Sequence, residues 1–533
     1  MAGVDVARGA ALFGMMAAHV YDILDDQGAP TTATVVTAGR AAATFVLLAG
    51  VSLAFMSGGR HVVQGWERTA VAGGLVVRAL LIGAIGLALG ILGPLNDVAG
   101  ILPFYAVLFL LAIPLLGWPP PVLAGVAAGV IVAGPVLLVA TAEVAAPYDV
   151  DLDPTFGALV HDPPGLLVQL FVTGEYPVVV YLAYICAGLA IGRLDLTSRR
   201  VGWWLFGAGT ALAVAARLTS DVLLYRLGGL AALVAQGQGA AAGTVETLLW
   251  DPDPPTSWWY LALPAPHSHT PVDLVHTLGS AMAVLGAALL LTRVRVLARA
   301  LSPLAAAGSM VLTLYSAHLV LLATGVLREQ PGLLLVLMIV GAAGFAVLWR
   351  RRLGQGPLER VVAAASGATR RRLADRLARR PATGARRATA ARAVQVLVPL
   401  ACASALVLGY WAGTRLGPDR EEEPPASDAA ARPGPEPVEN GGAPDLGRYC
   451  QLSEQVAEVE EQHPDDPKAV VGKADVQLTD MPRVAPVEIR PAVTVLVTDI
   501  RAEAGEPTAG DQDDAALQQA EATVDSFEDL NCP

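Results

Sequence analysis

Asp5, Arg8, Leu12, Met15, His19 and Asp22 follow one another at intervals of three and four residues. That spacing gathers them on one face of a helix. The face carries an acid–base pair at its start and a His–Asp pair at its far end. At the helical rise, Arg8 and His19 stand about 16 Å apart. The surrounding helix is apolar, and ionisable groups are costly in hydrocarbon. Such a face therefore belongs against a bundle interior or a water-filled cavity. Arginine pairs well with phosphate, whereas histidine moves protons near neutral pH. The two ends thus offer anion binding and proton transfer respectively. The plainer alternative is a helix-packing seam.

Other candidates are spread along the chain. His267, His269, Asp273 and His276 are close in sequence and of metal-ligand type. Pro271 interrupts them between loop and helix, and no metal is expected. His267 and His269 are instead alternative acid–base groups, and Asn96-Asp97 marks a further polar connection. His318 reads equally well as a core histidine or a site residue. Arg60, Arg68, Arg78 and Arg193 can receive phosphate or can reflect the ordinary bias of basic residues toward the cytoplasm. The repeated glycines Gly83, Gly86, Gly90 and Gly93 read as close helix packing. No Walker loop, dinucleotide fingerprint or hydrolase elbow is present. The Arg-rich stretch from Arg370 to Arg392 fits anionic lipid; no nucleic-acid partner is expected.

The elements that must position these groups are membrane helices. The chain is 54% hydrophobic and 16% charged, which is a membrane composition. Its net charge of −12 averages a net basic membrane part, whose basic residues are all Arg, with a strongly acidic segment from about Gly417 onward. Apolar runs predict an all-α, polytopic transmembrane bundle of about eleven spans. Arg-rich connections alternate with acidic ones, which puts the N-terminus in the cytoplasm. The first run reads as a retained span, expected over Arg8–Leu24. Val222–Val234 is expected to be a re-entrant or surface helix.

The predicted organisation is a membrane domain over 1–354, an Arg-rich cytoplasmic linker over 355–392 and a last transmembrane helix over 393–414. A disordered acidic, Pro-rich linker over 415–445 and a small, mainly helical extracytoplasmic domain over 446–533 follow. In that domain Tyr449–Gln462, Val487–Ala504 and Asp514–Asn531 read as helices, with a strand an alternative at Val493–Val497. Cys450 and Cys532 bracket it, and a disulfide between them fits an oxidising compartment. Cys186 and Cys402 sit in apolar runs as small hydrophobes.

Val4–Met16 with His19, Gly39-Arg40 with Phe45–Leu53, and Asn96–Leu102 with Tyr105–Val107 resemble motifs of the heparan-α-glucosaminide N-acetyltransferase-like membrane family. Gly356-Pro357-Leu358-Glu359 is similar to the closing motif of its bacterial relatives. The resemblance covers roughly Met1–Arg360. It implies an acyltransferase of the cell membrane that takes an acyl group from cytoplasmic acetyl-CoA or another acyl-CoA. The acceptor would be an extracytoplasmic sugar or envelope glycan. His19 falls near the place of the family's reactive histidine, as base or acyl carrier, with Asp22 or Asp97 orienting it and His267 or His269 as substitutes. Arg8, Arg40, Arg78 and Arg193 would hold the donor. The lipid bilayer is the expected environment, and a homodimer is allowed for. The rival readings are a transporter or flippase with a buried His/Asp/Arg path, and a non-enzymatic envelope protein.

Overall fold

The computed structural model describes residues 1–25, 28–96, 98–145, 153–235, 245–250, 252, 257–379, 446–462, 467–486 and 489–503, with single positions 517, 520, 524 and 527. The chain divides into two units, Met1–Glu421 and Glu422–Pro533. No strand occurs among the described residues. The predicted last span over 393–414, the linker over 415–445, Cys402, Cys532 and Asp97 lie outside the described residues.

The first unit is a helical bundle. Its main helices are α1 (Ala2–Ala18), α2 (Thr32–Thr37), α3 (Arg40–Met56), α4 (Gly65–Leu89), α5 (Leu102–Leu115), α6 (Pro120–Ala145) and α7 (Val178–Gly192). They continue with α8 (Arg199–Asp221), α9 (Pro271–Leu291), α10 (Ser302–Gly308), α11 (Val311–Leu322), α12 (Pro331–Leu353) and α13 (Pro357–Ala378). Six helices are long and apolar enough to cross a bilayer, and up to eight if each of two bent pairs counts as one span. This is a multi-pass membrane protein, and its count among the described residues is below the eleven expected.

α1 lies centrally, against α2, α3, α9, α10, α11 and α12. It spans Ala2–Ala18 rather than Arg8–Leu24, and His19 is its C-cap. The physical reason is local. Asp5 sits in the first turn, where the helix dipole favours a carboxylate, while Asp22 and Asp25 would face the partial negative charge of the far end. The chain therefore leaves the helix before Asp22, and the predicted face no longer extends to that residue.

Close helix contacts rest on small residues. α3 and α7 nearly touch at Gly50 and Gly188, where a Cβ on Gly50 would come within 2.9 Å of the Gly188 Cα. α8 and α9 cross with Gly202 opposite Gly286 and Gly209 opposite Gly279. Gly86 of α4 meets Pro103 of α5, as the glycine repeat predicts. Gly188→Val is expected to wedge α3 from α7 and cost about 3 kcal/mol. Its check is the thermal unfolding midpoint of the detergent-solubilised protein, with Gly207→Val as control, because a Cβ there meets open space.

Val222–Val234 makes no span of its own: a π-helical turn, Val222–Arg226, extends α8, and a short helix covers Gly229–Ala235. The stretch expected as the start of an Arg-rich linker is α13, packed along α4. In the second unit, helices run over Leu446–Gln462, Pro467–Val484 and Arg490–Glu503. The middle one was not legible, and Val493–Val497 is helical, so the strand alternative falls. Tyr449, Leu452, Leu478, Ile489 and Val493 form part of this unit's own core. Cys450 is disulfide-bonded.

Candidate active site

Two broken helices set the geometry. α10 and α11 are bent by 84° at their break, and Pro163–Thr173 meets α7 at 57°. Breaks of this kind free backbone groups and aim side chains into a bundle. The first break starts the helix that carries Tyr315 and His318. The second break itself carries Glu175 and Tyr176. Both sets converge near the C-terminal end of α1.

At that end His19 Nδ1 lies 3.0 Å from His318 Nε2. The rings are stacked, 5.2 Å apart at 16°. His318 Nδ1 is buried without a hydrogen-bond partner. A proton on that nitrogen makes His318 Nε2 an acceptor and His19 Nδ1 the donor. The Nε2 lone pair of His19 is then free for chemistry. Tyr315 packs edge-on against His318 at 5.0 Å, and its hydroxyl accepts from the Ile101 N–H at 3.2 Å. The sequence paired His19 with Asp22; the structure pairs it with His318. Asp22 contributes its carbonyl to Thr31 Oγ1 at 2.9 Å.

A cavity of about 1220 Å³ opens here, and His19, Asp22, Glu175, Tyr176, His267 and Trp250 are among its walls. His267 Nδ1 is 2.9 Å from Glu175 Oε1. The approach is off-line, so the contact is a close electrostatic one rather than an in-line hydrogen bond. Burial drives the His267 imidazole toward neutrality, but the adjacent Glu175 carboxylate outweighs it and raises the pKa above the usual value. His269 is pushed the other way, down to about 4, by burial; its Nε2 is 3.1 Å from the Glu175 carbonyl. Both histidines have positive φ, 59° and 56°. A non-glycine residue held so costs on the order of 1–3 kcal/mol. The loop is fixed on its far side by Thr270, which caps α9 by accepting from the Asp273 N–H at 3.0 Å.

A second cavity, about 420 Å³, lies toward the start of α1 and is walled by Arg8, Ser52, Arg78, Tyr105, Tyr315 and Glu359 among others. Arg8 donates to Ser52 Oγ and reaches Asp5 at 3.5 Å. Arg78 Nε and the Tyr105 hydroxyl are buried there without hydrogen-bond partners. Unpartnered buried donors are costly and call for a ligand with acceptor atoms. Glu359 is committed elsewhere: it accepts from Thr313 N at 3.1 Å and Thr313 Oγ1 at 2.6 Å, tying α13 to α11. Met15 belongs to the walls of both cavities. They therefore lie on either side of Met15 along α1, between Arg8 and His19.

The remaining predicted site residues lie apart. Arg40 donates to His276 Nε2 at 3.1 Å and to the Val35 carbonyl at 2.6 Å, near the His19 end. Arg193 gives its two terminal nitrogens to the carbonyls of Ala54, Ser57, Gly59 and Leu116 and to Ser57 Oγ, with Nε left buried and unpartnered outside both cavities. Neither joins Arg8 and Arg78. Among the described residues, no group of three His, Cys, Asp or Glu is placed to hold a metal ion. Glu175, Tyr315 and Asp153 escaped sequence reasoning. Asp153 holds the Gly100 N–H at 2.8 Å, and burial pushes its carboxyl up to about 6.

Residues 1–225 match the family described as heparan-α-glucosaminide N-acetyltransferase, catalytic. This bears out the resemblance at family level over a shorter stretch than the motifs covered. His19, both cavity arginines and Glu175 fall inside the match, while His267, His269 and His318 lie beyond it. No curated protein and no solved structure matches the chain.

Proposed function

From the place of residues 1–225 in the heparan-α-glucosaminide N-acetyltransferase catalytic family, we propose that the chain moves an acyl group, acetyl first of all, from cytoplasmic acyl-CoA to a sugar or envelope glycan outside the cell membrane. The observation that carries this reading is the pair of unlike cavities set along α1 on either side of Met15. One presents arginine and hydroxyl donors to an anionic thioester. The other presents histidines to an acceptor, under aromatic walls that include Tyr176 and Trp250 and suit the apolar faces of a sugar ring. The separation of Arg8 and His19, about 16 Å along α1, is close to the reach of an extended pantetheine arm. His19 is the base or acyl carrier.

The orientation rests on charge. Arg60, Arg68, Arg199 and Arg200 flank one end of the bundle, and the exposed Trp203 and Trp204 one turn beyond fit a membrane interface. The Arg8 cavity then faces the cytoplasm. The C-terminal unit lies outside the cell, in keeping with its disulfide-bonded Cys450.

The experiment is CoA release from acetyl-CoA by purified protein in nanodiscs supplied with an envelope-glycan pool. Arg78→Met is expected to raise the KM for acetyl-CoA about tenfold or more while changing kcat little, since a charged hydrogen bond to the donor contributes about 1.5–3 kcal/mol. Absence of both acetyl-CoA binding and CoA release in the wild type would overturn the reading. The two broken helix pairs favour the rival, a transporter, and that protein would move solute without consuming thioester.

A further inference from the structure

We infer that His267, held by Glu175, is the base that activates the acceptor, and that His19 is reserved for the acyl group. This rests on the acyl-transfer reading above. The large cavity has two histidine poles of unlike construction. His19 is stacked on His318 and bonded through Nδ1, which presents Nε2 as a nucleophile. Among the described residues no carboxylate is paired with it. His267 has one, Glu175 at 2.9 Å, and a base that becomes cationic in the reaction is stabilised by such a neighbour. His267 also keeps water access, with 24% of its side chain exposed, so it can release a proton once it has taken one. It lines the same cavity as His19.

The backbone supports the same assignment. His267 and His269 are two of the three non-glycine residues with positive φ among the described residues. The loop holds this conformation between Ser268, whose hydroxyl donates to the Ala265 carbonyl at 2.8 Å, and the Thr270 cap of α9. Strain retained in a well-anchored loop marks a side chain whose direction matters. The edge of Tyr176, 5.6 Å away, limits the ring's rotation from the other side.

The lone pair of His19 Nε2 attacks the thioester carbonyl carbon, the C–S bond breaks and its electron pair leaves on the CoA thiolate. The Nδ1 proton of His19 crosses to His318 Nε2. An acceptor hydroxyl or amine then gives its proton to His267 and attacks the acyl carbon. The C–N bond to His19 breaks, its pair returns to Nε2, and His318 hands the proton back to Nδ1. His267 sheds its proton into the cavity water, which balances the one taken up by the thiolate.

The test uses two acceptors that differ in their need of a base: water, which needs one, and hydroxylamine, which does not. CoA release from acetyl-CoA is followed in wild type, His267→Asn, Glu175→Gln and His19→Ala. Asparagine tolerates the left-handed backbone of residue 267. The expected result is a loss of about 100-fold in water-driven release for His267→Asn and about tenfold for Glu175→Gln. Hydroxylamine-driven release should stay within about threefold of wild type in both, while His19→Ala loses both. Water-driven release unchanged in His267→Asn would overturn the inference. So would an equal loss with both acceptors, which marks a structural role. A wild type that releases no CoA with either acceptor would instead sink the acyl-transfer reading itself.

Discussion

His19→Ala should lower glycan-dependent acyl transfer by about 10³-fold, the scale of losing a nucleophile or base from a positioned site. The expectation follows from location. His19 closes α1, shares its cavity with Glu175 and His267, and is joined at Nδ1 to a partner that is itself wedged against Tyr315. His318→Asn should be milder, about tenfold, because it removes the orienting contact and leaves the reacting nitrogen. His161→Ala is the control, since His161 is exposed on a short helix and lines neither cavity. Steady-state CoA release with a fixed glycan pool measures all three. A His19→Ala protein that keeps its turnover, with donor affinity unchanged, would move the chemistry wholly to the His267 pole.

Much of this site was legible because it is local. Arg8 and His19 could be placed on one apolar helix from spacing alone, and Arg78 from its position inside a glycine-rich span. The failures have one cause in common: they are contacts between residues distant in sequence. His19 finds its partner 299 residues away. Glu175 meets His267 across a broken helix whose break shows in sequence only as Gly174 and Pro177 flanking two polar-capable residues. Asp22 was misassigned because periodicity was extended past the point where the helix dipole and the acidic turn end α1. Helices themselves were easier to read, since twenty apolar residues in a row have few alternatives in a bilayer. Their kinks were not, because a bend between α10 and α11 leaves the hydropathy unchanged.

Arg193 shows how a cation can mislead a reader of sequence, and removing it should produce the largest loss of stability. Its guanidinium sits 6% exposed at the end of α7 and gathers the Ala54, Ser57 and Gly59 carbonyls at the C-terminal end of α3, together with the Leu116 carbonyl beyond α5. Four unpaired helix carbonyls are an anionic pole, so the residue answers a backbone need that no side chain in the motif announces. Arg193→Ala removes a charged donor from several acceptors at once, the Gly59 and Leu116 carbonyls among them, and is expected to cost about 3–5 kcal/mol. Arg193→Lys should recover less than half of that, because a point ammonium cannot reproduce the planar fork that serves two sides. Chemical unfolding in mild detergent gives the loss, and acetyl-CoA titration of the surviving folded protein gives the second reading. Unchanged donor affinity is expected, because Arg193 is not in the wall of the Arg8 cavity. A variant of wild-type stability that binds acetyl-CoA poorly would return Arg193 to the donor site and require its carbonyl contacts to open when donor arrives.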